Sequence, residues 1–210
     1  MEKKFILTDK FVINSFGIKL FQIKCTKSFK YAQKGDFGGY VEKEGNLDQK
    51  NDAWVSGNAR VFGNARVSSN ARVSGDAWVS DNARVSGDAW VSGNAWVSSN
   101  AWVSDNARVS GDAWVSGDAR VSGNAWVSGD ADIENDNEHC GFDGFGSCNR
   151  HTHAYMTKEK KVEIICGCFR GSIEEFEKKV EETHSGTVYE KQYKSIINVI
   201  KIKFGLTDFT

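Results

Sequence analysis

Apolar and polar positions repeat with a period of six from residue 51 to residue 134, through fourteen consecutive units without an insertion. The stretch opens with NDAWVSGNARVF and closes with GDADIE. Each unit reads as a turn pair, then Ala, then Trp or Arg, then Val and a small polar residue. All seven tryptophans of the chain occupy one position of this unit, and arginine occupies that position in six other units.

This pattern predicts a short strand and a turn in every unit. Glycine with Asn or Asp every six residues would break a helix, and a fixed short period is typical of a solenoid. Successive side chains of a strand point to opposite sides, which separates Ala53 and Val55 from Trp54. Arginines inside a narrow dry coil would be buried without partners. We therefore expect Ala and Val to form the core and the Trp/Arg position to face outward.

The pattern Val-Ser-Gly-Asn-Ala-Arg resembles the hexapeptide repeat of left-handed parallel β-helices, in which three units form one triangular coil. The left hand is what this resemblance implies, because parallel crossovers are normally right-handed. The order GGYVEKEGNL followed by NDAWVSGNARV also resembles the start of uncharacterised bacterial and prophage repeat proteins, some with an acetyltransferase-like label. The resemblance covers residues 38–134 and is specific for fold but weak for activity.

At eighteen residues per coil, the outward positions sort into three predicted faces. A contiguous patch of stacked aromatic side chains usually marks an interface. We therefore predict that these faces form a homotrimer or recognise a separate partner, and the alternative is that they only stabilise neighbouring strands. The interface residues are Trp54, Arg72, Trp90, Arg108 and Trp126 on the first face, Trp78, Trp96 and Trp114 on the second (with Arg60 and Asp132), and Trp102 on the third (with Arg66, Arg84 and Arg120).

The regular repeat divides the chain into three predicted parts. Residues 1–37 carry short apolar runs and predict an N-terminal β cap. Residues 38–134 predict the β-helix, and residues 135–210 predict a small C-terminal α+β domain. The predicted fold is therefore mainly β, a capped left-handed parallel β-helix followed by that domain.

Within the C-terminal part, Ser172 and Glu175 form a capping-box pattern that opens a helix. Residues 152–156 and 162–166 predict two strands. Residues 199–204 fit either the end of a last helix or a strand, so both alternatives stay open.

Overall charge gives no reason to expect a nucleic-acid or membrane partner, because the formal net charge is −1. Stacked aromatics with interspersed arginine can bind single strands, but the repeat carries nine aspartates and one glutamate against six arginines. Charges interrupt the apolar residues of the N-terminus, so no signal peptide is expected. Five cysteines, an odd number, favour a reduced cytoplasmic protein.

The resemblance to hexapeptide acyltransferases does not carry their activity to any residue here. Those enzymes use a coil histidine as base, and the related trimeric carbonic anhydrases hold zinc with coil histidines. All four histidines of this chain lie after the repeat. We expect a non-enzymatic scaffold or binding protein of phage or prophage type that presents its C-terminal domains to a host or viral protein or to a small ligand. The alternative is an acyltransferase-like enzyme with a site between subunits.

The C-terminal part supplies two further sets of candidate residues. A Gly-rich loop at 141–147 would bring backbone donors close to a small anionic ligand. The candidate ligand-binding residues are Gly144, Ser147, Arg150, His151 and His153. No cofactor is expected, with zinc as the alternative. The candidate zinc ligands are Cys148, Cys166, Cys168 and His184, with His139, Cys140, His151 or His153 as substitutes.

Overall fold

The computed structural model describes residues 2–207 and shows a mainly β chain. A β-solenoid of about five turns forms its middle, and a small helical region follows near the C-terminal end. Residue 1 and residues 208–210, which the predicted end domains include, lie outside the described residues. No helix of the described part is both long enough and apolar enough to cross a membrane.

The N-terminal residues form an antiparallel sheet that continues into the solenoid. Strand β1 (Phe5–Ile13) pairs with β2 (Lys19–Cys25), which pairs with β3 (Phe37–Val41). Strand β3 then pairs in parallel with β5 (Arg60–Val61), so the N-terminal hairpin and one solenoid face share a sheet. A short 3-10 helix, Glu44–Asn46, follows β3.

Two-residue strands form the solenoid, each containing the outward Trp/Arg position, or Asp132 in the last, and the apolar residue after it. They are β4 (Trp54–Val55), β5, β6 (Arg66–Val67), β7 (Arg72–Val73), β8 (Trp78–Val79), β9 (Arg84–Val85), β10 (Trp90–Val91), β11 (Trp96–Val97), β12 (Trp102–Val103), β13 (Arg108–Val109), β14 (Trp114–Val115), β15 (Arg120–Val121), β16 (Trp126–Val127) and β17 (Asp132–Ile133). Each pairs in parallel with the strand three units further on. The three resulting sheets run β3-β5-β8-β11-β14-β17, β4-β7-β10-β13-β16 and β6-β9-β12-β15.

Alanine and valine side chains fill the interior of the solenoid, which confirms the predicted core. Ala95 and Val97 are fully buried, as are their equivalents in nearly every unit. The corners are tight, because the first turn residue has positive φ and lies close to its counterpart in the next coil. At Gly111, with φ 69°, an added Cβ would lie 2.7 Å from the Gly129 nitrogen. Small turn residues therefore let neighbouring coils approach at strand spacing.

An antiparallel sheet of four strands follows the solenoid. Its strands are β18 (His139–Phe145), β19 (Arg150–Met156), β20 (Val162–Cys166) and β21 (Phe169–Ser172), in that order. The prediction of a Gly-rich loop at 141–147 is wrong over most of its length, because residues 141–145 belong to β18. Gly141 pairs with His153, and an added Cβ there would lie 2.7 Å from the His151 ring. Glycine is needed at position 141 because the rings of His151 and His153 lie against its backbone.

Two helices, α1 (Ile173–His184) and α2 (Val188–Lys203), complete the described chain. The capping box is confirmed, since the Glu175 backbone nitrogen donates to Ser172 Oγ and the Ser172 nitrogen donates to Glu175 Oε2. The last segment is helical up to Lys203, which decides between helix and strand at residues 199–204.

The two faces of the C-terminal sheet pack against different parts of the chain. One face, with Ala154 and Ile164, packs against both helices. The other face closes the end of the solenoid, where Tyr155 and Ile165 join its alanine–valine core. A bridge between Ala131 and Thr157 holds the junction. The sheet therefore covers strand edges that would otherwise be open to solvent.

Candidate functional site

The outward Trp/Arg positions form three columns, as the sequence predicts. Column 1 runs through β4, β7, β10, β13 and β16, column 2 through β5, β8, β11, β14 and β17, and column 3 through β6, β9, β12 and β15. Paired strands keep these side chains in register, as Trp102 with Arg84 and Arg120. Four indoles are more than a third exposed: Trp90 37%, Trp102 41%, Trp114 40% and Trp126 40%.

Serine side chains of the repeat hold most of these indoles in place. The indole nitrogen of Trp90 donates to Ser74 Oγ at 2.9 Å. Equivalent bonds join Trp96 to Ser80, Trp102 to Ser86 and Trp114 to Ser98. Each bond reaches back sixteen residues to the preceding coil, so the serine has a structural role that sequence reasoning missed. The exposed rings are consequently ordered before any partner arrives.

Two of the six outward arginines, Arg60 and Arg72, stack on aromatic rings. The Arg72 guanidinium lies 4.1 Å from the Trp90 ring centroid, and that of Arg60 lies 5.0 Å from the Trp78 centroid. These distances are typical of cation–π contacts. Within residues 2–207 no outward arginine forms an ion pair.

The N-terminal segment covers one end of column 1, which corrects the expected interface. Trp54 is only 4% exposed because Phe29 packs edge-on against it, with ring centroids 5.4 Å apart. Tyr31 lies over the next side chain, with its centroid 5.1 Å from the Arg72 guanidinium. Trp54 points out of the coil as predicted, but it contacts its own chain and is unavailable to a partner.

Column 2 is also partly covered, by the tip of the β1–β2 hairpin. Phe16 packs against Trp78 and Trp96, with centroid distances of 6.1 and 6.2 Å. Phe62 packs edge-on against Trp78 at 5.9 Å. Further along, Trp96 and Trp114 stack in parallel, with centroids 5.1 Å apart. The three predicted tryptophans therefore belong to a longer aromatic cluster that includes two phenylalanines.

Amide side chains line the corners between the columns. Asn82 receives a hydrogen bond from Asn64 and donates one to Asn100, which donates in turn to Asp118. Bonds of this kind join equivalent corner positions of successive coils. The Asn and Asp of each turn pair thus link the coils outside the backbone ladder, and they place carboxylates beside the arginine columns.

Comparison with known proteins agrees with this architecture. A family model described as YdcK Beta solenoid repeat matches residues 53–69, 65–81, 77–93, 83–99, 101–117 and 113–129. The chain is a repeat β-helix protein. No curated protein matches it in sequence.

The structure separates the residues predicted to bind a small ligand. His151 and His153 lie on the solenoid side of β19, whereas Arg150 lies on the helix side with Thr152. Gly144 and Ser147 lie at the β18–β19 turn, where the Gly146 nitrogen donates to Gln192 Oε1 at 2.9 Å. The five residues therefore do not form one site, because alternate residues of a strand face opposite sides.

Three of the four predicted zinc ligands come together in the structure. Cys166, Cys168 and His184 line a cavity of about 200 Å³ beside Arg150 and Tyr193. Cys148 is exposed near this cavity, and Thr152 Oγ1 donates to Cys166 Sγ at 3.2 Å. Among residues 2–207 no three His, Cys, Asp or Glu side chains are arranged to hold a metal ion.

The structure adds a cluster that sequence reasoning did not predict as a unit. His139, His151 and His153, here called the histidine row, lie with their rings side by side. Their centroids lie 5.3 Å apart between His139 and His153, and 5.6 Å apart between His151 and His153. His153 Nε2 and both His139 ring nitrogens are buried and lack hydrogen-bond partners within residues 2–207. The only local sequence signal is the alternate spacing of His151 and His153.

Burial disfavours the charged form of two members of this row, His139 and His153. It lowers the pKa of His139, against the opposing attraction of Asp136. It lowers the pKa of His153 well below the usual value, and repulsion from the two neighbouring histidines acts in the same direction. The hydrogen bond from His151 at 2.8 Å lowers the pKa of the Asp143 carboxyl. His139 and His153 are therefore neutral in the folded protein at neutral pH.

Proposed function

We propose that this chain is a non-enzymatic scaffold or binding protein that assembles into a homotrimer through its exposed Trp/Arg columns. Its C-terminal sheet and helices would be presented in several copies to a macromolecular partner or a small ligand. The proposal includes the left-handed hexapeptide coil and a phage or prophage setting, both of which rest on the sequence resemblance.

One observation carries the proposal: four indoles are exposed, three of them held by serine, and the outward arginines of the described chain have no ion pair. Trp and Arg are the residues enriched at energetic hot spots of protein interfaces. Because serine side chains hold Trp90 and Trp102 in place, little side-chain entropy would be lost on contact. Column 3 and the uncovered part of column 1, at Trp90 and Trp126, are favoured over column 2, where Phe16 packs on Trp78 and Trp96.

The same surfaces are self-complementary in charge, which favours a second copy of this chain as the partner. Arginines occupy the faces, whereas carboxylates such as Asp88 and Asp118 occupy the corners. A neighbouring copy rotated about a common axis would bring its corner carboxylates to the free guanidinium groups. Charge pairs of this kind fix the orientation of an interface more than its strength.

Sedimentation equilibrium tests the proposal. The unchanged protein is expected at the mass of three chains of 23.3 kDa each. A variant with Trp90→Ser, Trp102→Ser and Trp126→Ser is expected to sediment as a monomer. Phe37→Ser is the matched control, because Phe37 is a 60% exposed aromatic outside the columns. A monomeric unchanged protein, or a triple variant that stays trimeric, would overturn the proposal.

Acyl transfer is the alternative function, and a ligand test separates the two. The resembled enzymes need a histidine base on the coil, whereas all four histidines here lie at or beyond His139. We expect no change in melting temperature with coenzyme A. A saturable rise in melting temperature would favour the enzyme.

A further inference from the structure

Column 2 contains the one place where the sixth position of the repeat holds a large apolar residue. Twelve of the fourteen units end in serine, but Phe62 ends the second unit and Glu134 ends the last. Phe62 stands sixteen residues before Trp78, where other units supply the serine that accepts the indole hydrogen. The Trp78 nitrogen consequently has no hydrogen bond within residues 2–207, and it is not among the fully buried unpaired atoms. A free donor therefore remains at the surface.

Trp78 also lines a cleft of about 420 Å³ between the hairpin tip and column 2. We call it the aromatic cleft; its lining consists of Ser15, Phe16, Asp76, Trp78, Asn94 and Trp96. Its volume lies in the range of small-molecule sites, roughly 300–1,000 Å³. Three aromatic rings thus lie beside three polar side chains in one concave surface.

The polar side chains of the cleft have unused hydrogen-bonding capacity. Asp76 accepts one bond, from Asn58 at 3.1 Å through Oδ1, and its second carboxylate oxygen has no protein partner in the described chain. Asn94 donates to Asp112 at 2.9 Å, and its carbonyl oxygen has no donor there. The cleft therefore offers two free acceptors and the Ser15 hydroxyl, and Trp78 at its wall carries an unpaired donor.

This combination matches the chemistry of a sugar ring. The C–H groups on the face of a pyranose pack on aromatic rings, while its hydroxyls lie at the edge and pair with carboxylate, amide and N–H groups. The lining contains no Lys or Arg, and its single formal charge is the Asp76 carboxylate. That charge disfavours phosphates, nucleic acids and acidic ligands.

We propose that the aromatic cleft binds a neutral oligosaccharide through Phe16, Trp78 and Trp96, oriented by Asp76, Asn94 and the Trp78 nitrogen. This inference goes beyond the proposed function and does not require a trimer, because columns 1 and 3 carry the proposed subunit contacts. The open cleft favours an internal segment of a chain over a single enclosed sugar.

Isothermal titration of the full chain with cellopentaose, maltopentaose and chitopentaose tests the proposal. At least one of these is expected to bind with a Kd of about 1 mM or tighter. Trp78→Phe keeps an aromatic ring but removes the free donor, so we expect about tenfold weaker binding, as for one lost hydrogen bond. Trp96→Phe is the matched control, since the Trp96 donor already binds Ser80. It is expected to change affinity by less than about threefold.

A second matched pair separates binding from folding. Asp76 and Asp88 each accept one corner hydrogen bond from an asparagine at 3.1 Å. Asp76→Ala and Asp88→Ala are therefore expected to change the melting temperature alike, while only Asp76→Ala weakens saccharide binding, by about tenfold.

Three results would overturn the inference. They are the absence of binding by all three saccharides, equal losses in the two aspartate variants, and tighter binding of an oligothymidylate than of any saccharide. The variant lacking Trp90, Trp102 and Trp126 is expected to keep its saccharide affinity even when monomeric. Failure of the trimer and failure of the saccharide site are thus measured separately.

Discussion

The Lys4 ammonium donates to the Ala53 carbonyl oxygen at 2.7 Å. This carbonyl lies beside β4, the first strand of its sheet, which has no strand before it to pair with. In later coils the equivalent carbonyl accepts from a backbone nitrogen of the preceding coil, as the Ala71 carbonyl accepts from the Trp54 nitrogen. The other two sheets are closed differently. Tyr40 donates through its backbone to the Ala59 carbonyl, and the Asn46 side chain donates to the Ala65 carbonyl at 2.9 Å. Each exposed edge of the first coil therefore has its own cap.

Removing the Lys4 ammonium should destabilise the first coil. Lys4→Met leaves the Asn51 and Ala53 carbonyls without their donor, and an unpaired buried acceptor costs about 1–3 kcal/mol. We expect a loss of that size in the free energy of unfolding, measured by urea denaturation. Lys3→Met is the control, since Lys3 forms an exposed ion pair with Glu44. Its expected cost is below about 1 kcal/mol. Equal losses in the two variants would contradict the capping role.

Two non-glycine turn residues with positive φ give predictions of different size. Ser99 has φ 57° and no side-chain hydrogen bond among the described residues, whereas Asp105, also at φ 57°, accepts from the Gly123 nitrogen at 3.1 Å. The left-handed region costs an L-residue about 1–2 kcal/mol. Ser99→Gly should therefore stabilise the protein by about 0.5–1 kcal/mol, after the extra entropy of glycine in the unfolded chain. Asp105→Gly should gain less than Ser99→Gly, because it also loses the carboxylate hydrogen bond. Thermal unfolding of both variants checks the order, and a larger gain for Asp105→Gly would contradict it.

The regular part of the fold could be predicted because a period of six allows only one consistent division of the side chains into inward and outward positions. Ala and Val had to be inside once arginine shared a position with tryptophan, and the strand spacing then determined all three columns. The cover over Trp54 could not be predicted in this way. Phe16, at the tip of the β1–β2 hairpin, and Phe29, in the β2–β3 connection, reach the columns by tertiary folding. No local pattern connects them with Trp54 or Trp78. The missing serine at Phe62 was visible in the sequence, but its meaning depended on the indole–serine bonds.

Acidification should destabilise the protein through the histidine row. Because burial lowers the pKa of His139 and His153, the unfolded chain binds protons below about pH 6.5 that the folded protein excludes. The stability that depends on these neutral rings is fully present above that pH and falls as the pH drops toward the folded pKa values. The slope is about 1.4 kcal/mol per pH unit for each histidine.

Urea unfolding at pH 7.5 and pH 5 measures this dependence. The fall in unfolding free energy is expected to shrink in His153→Gln, which removes the most buried ring of the row. His184→Gln is the control, since His184 stacks on Tyr193 at the end of α1, away from the row. A fall of unchanged size in His153→Gln, or a protein more stable at pH 5 than at pH 7.5, would contradict the assignment.

The C-terminal sheet should protect the open end of the solenoid. Ile165 is 5% exposed and packs with the alanine–valine core, so Ile165→Asp would place a carboxylate against the last coil. The neighbouring face of the sheet, which packs on the helices, is left unchanged. We expect the sheet to separate from the coil and expose the edges of β15, β16 and β17. Native-state hydrogen exchange should then show faster exchange in the last coil than in the first.

Exposed parallel edges are templates for pairing with other chains, so this variant should also form large aggregates in size-exclusion chromatography. Ile202→Asp is the matched control, because Ile202 is 45% exposed on α2 and contacts neither core cluster. It should leave both the exchange pattern and the elution volume unchanged. If Ile165→Asp unfolds both helices together with the last coil, the sheet and the solenoid form one cooperative unit and the proposed separation is wrong.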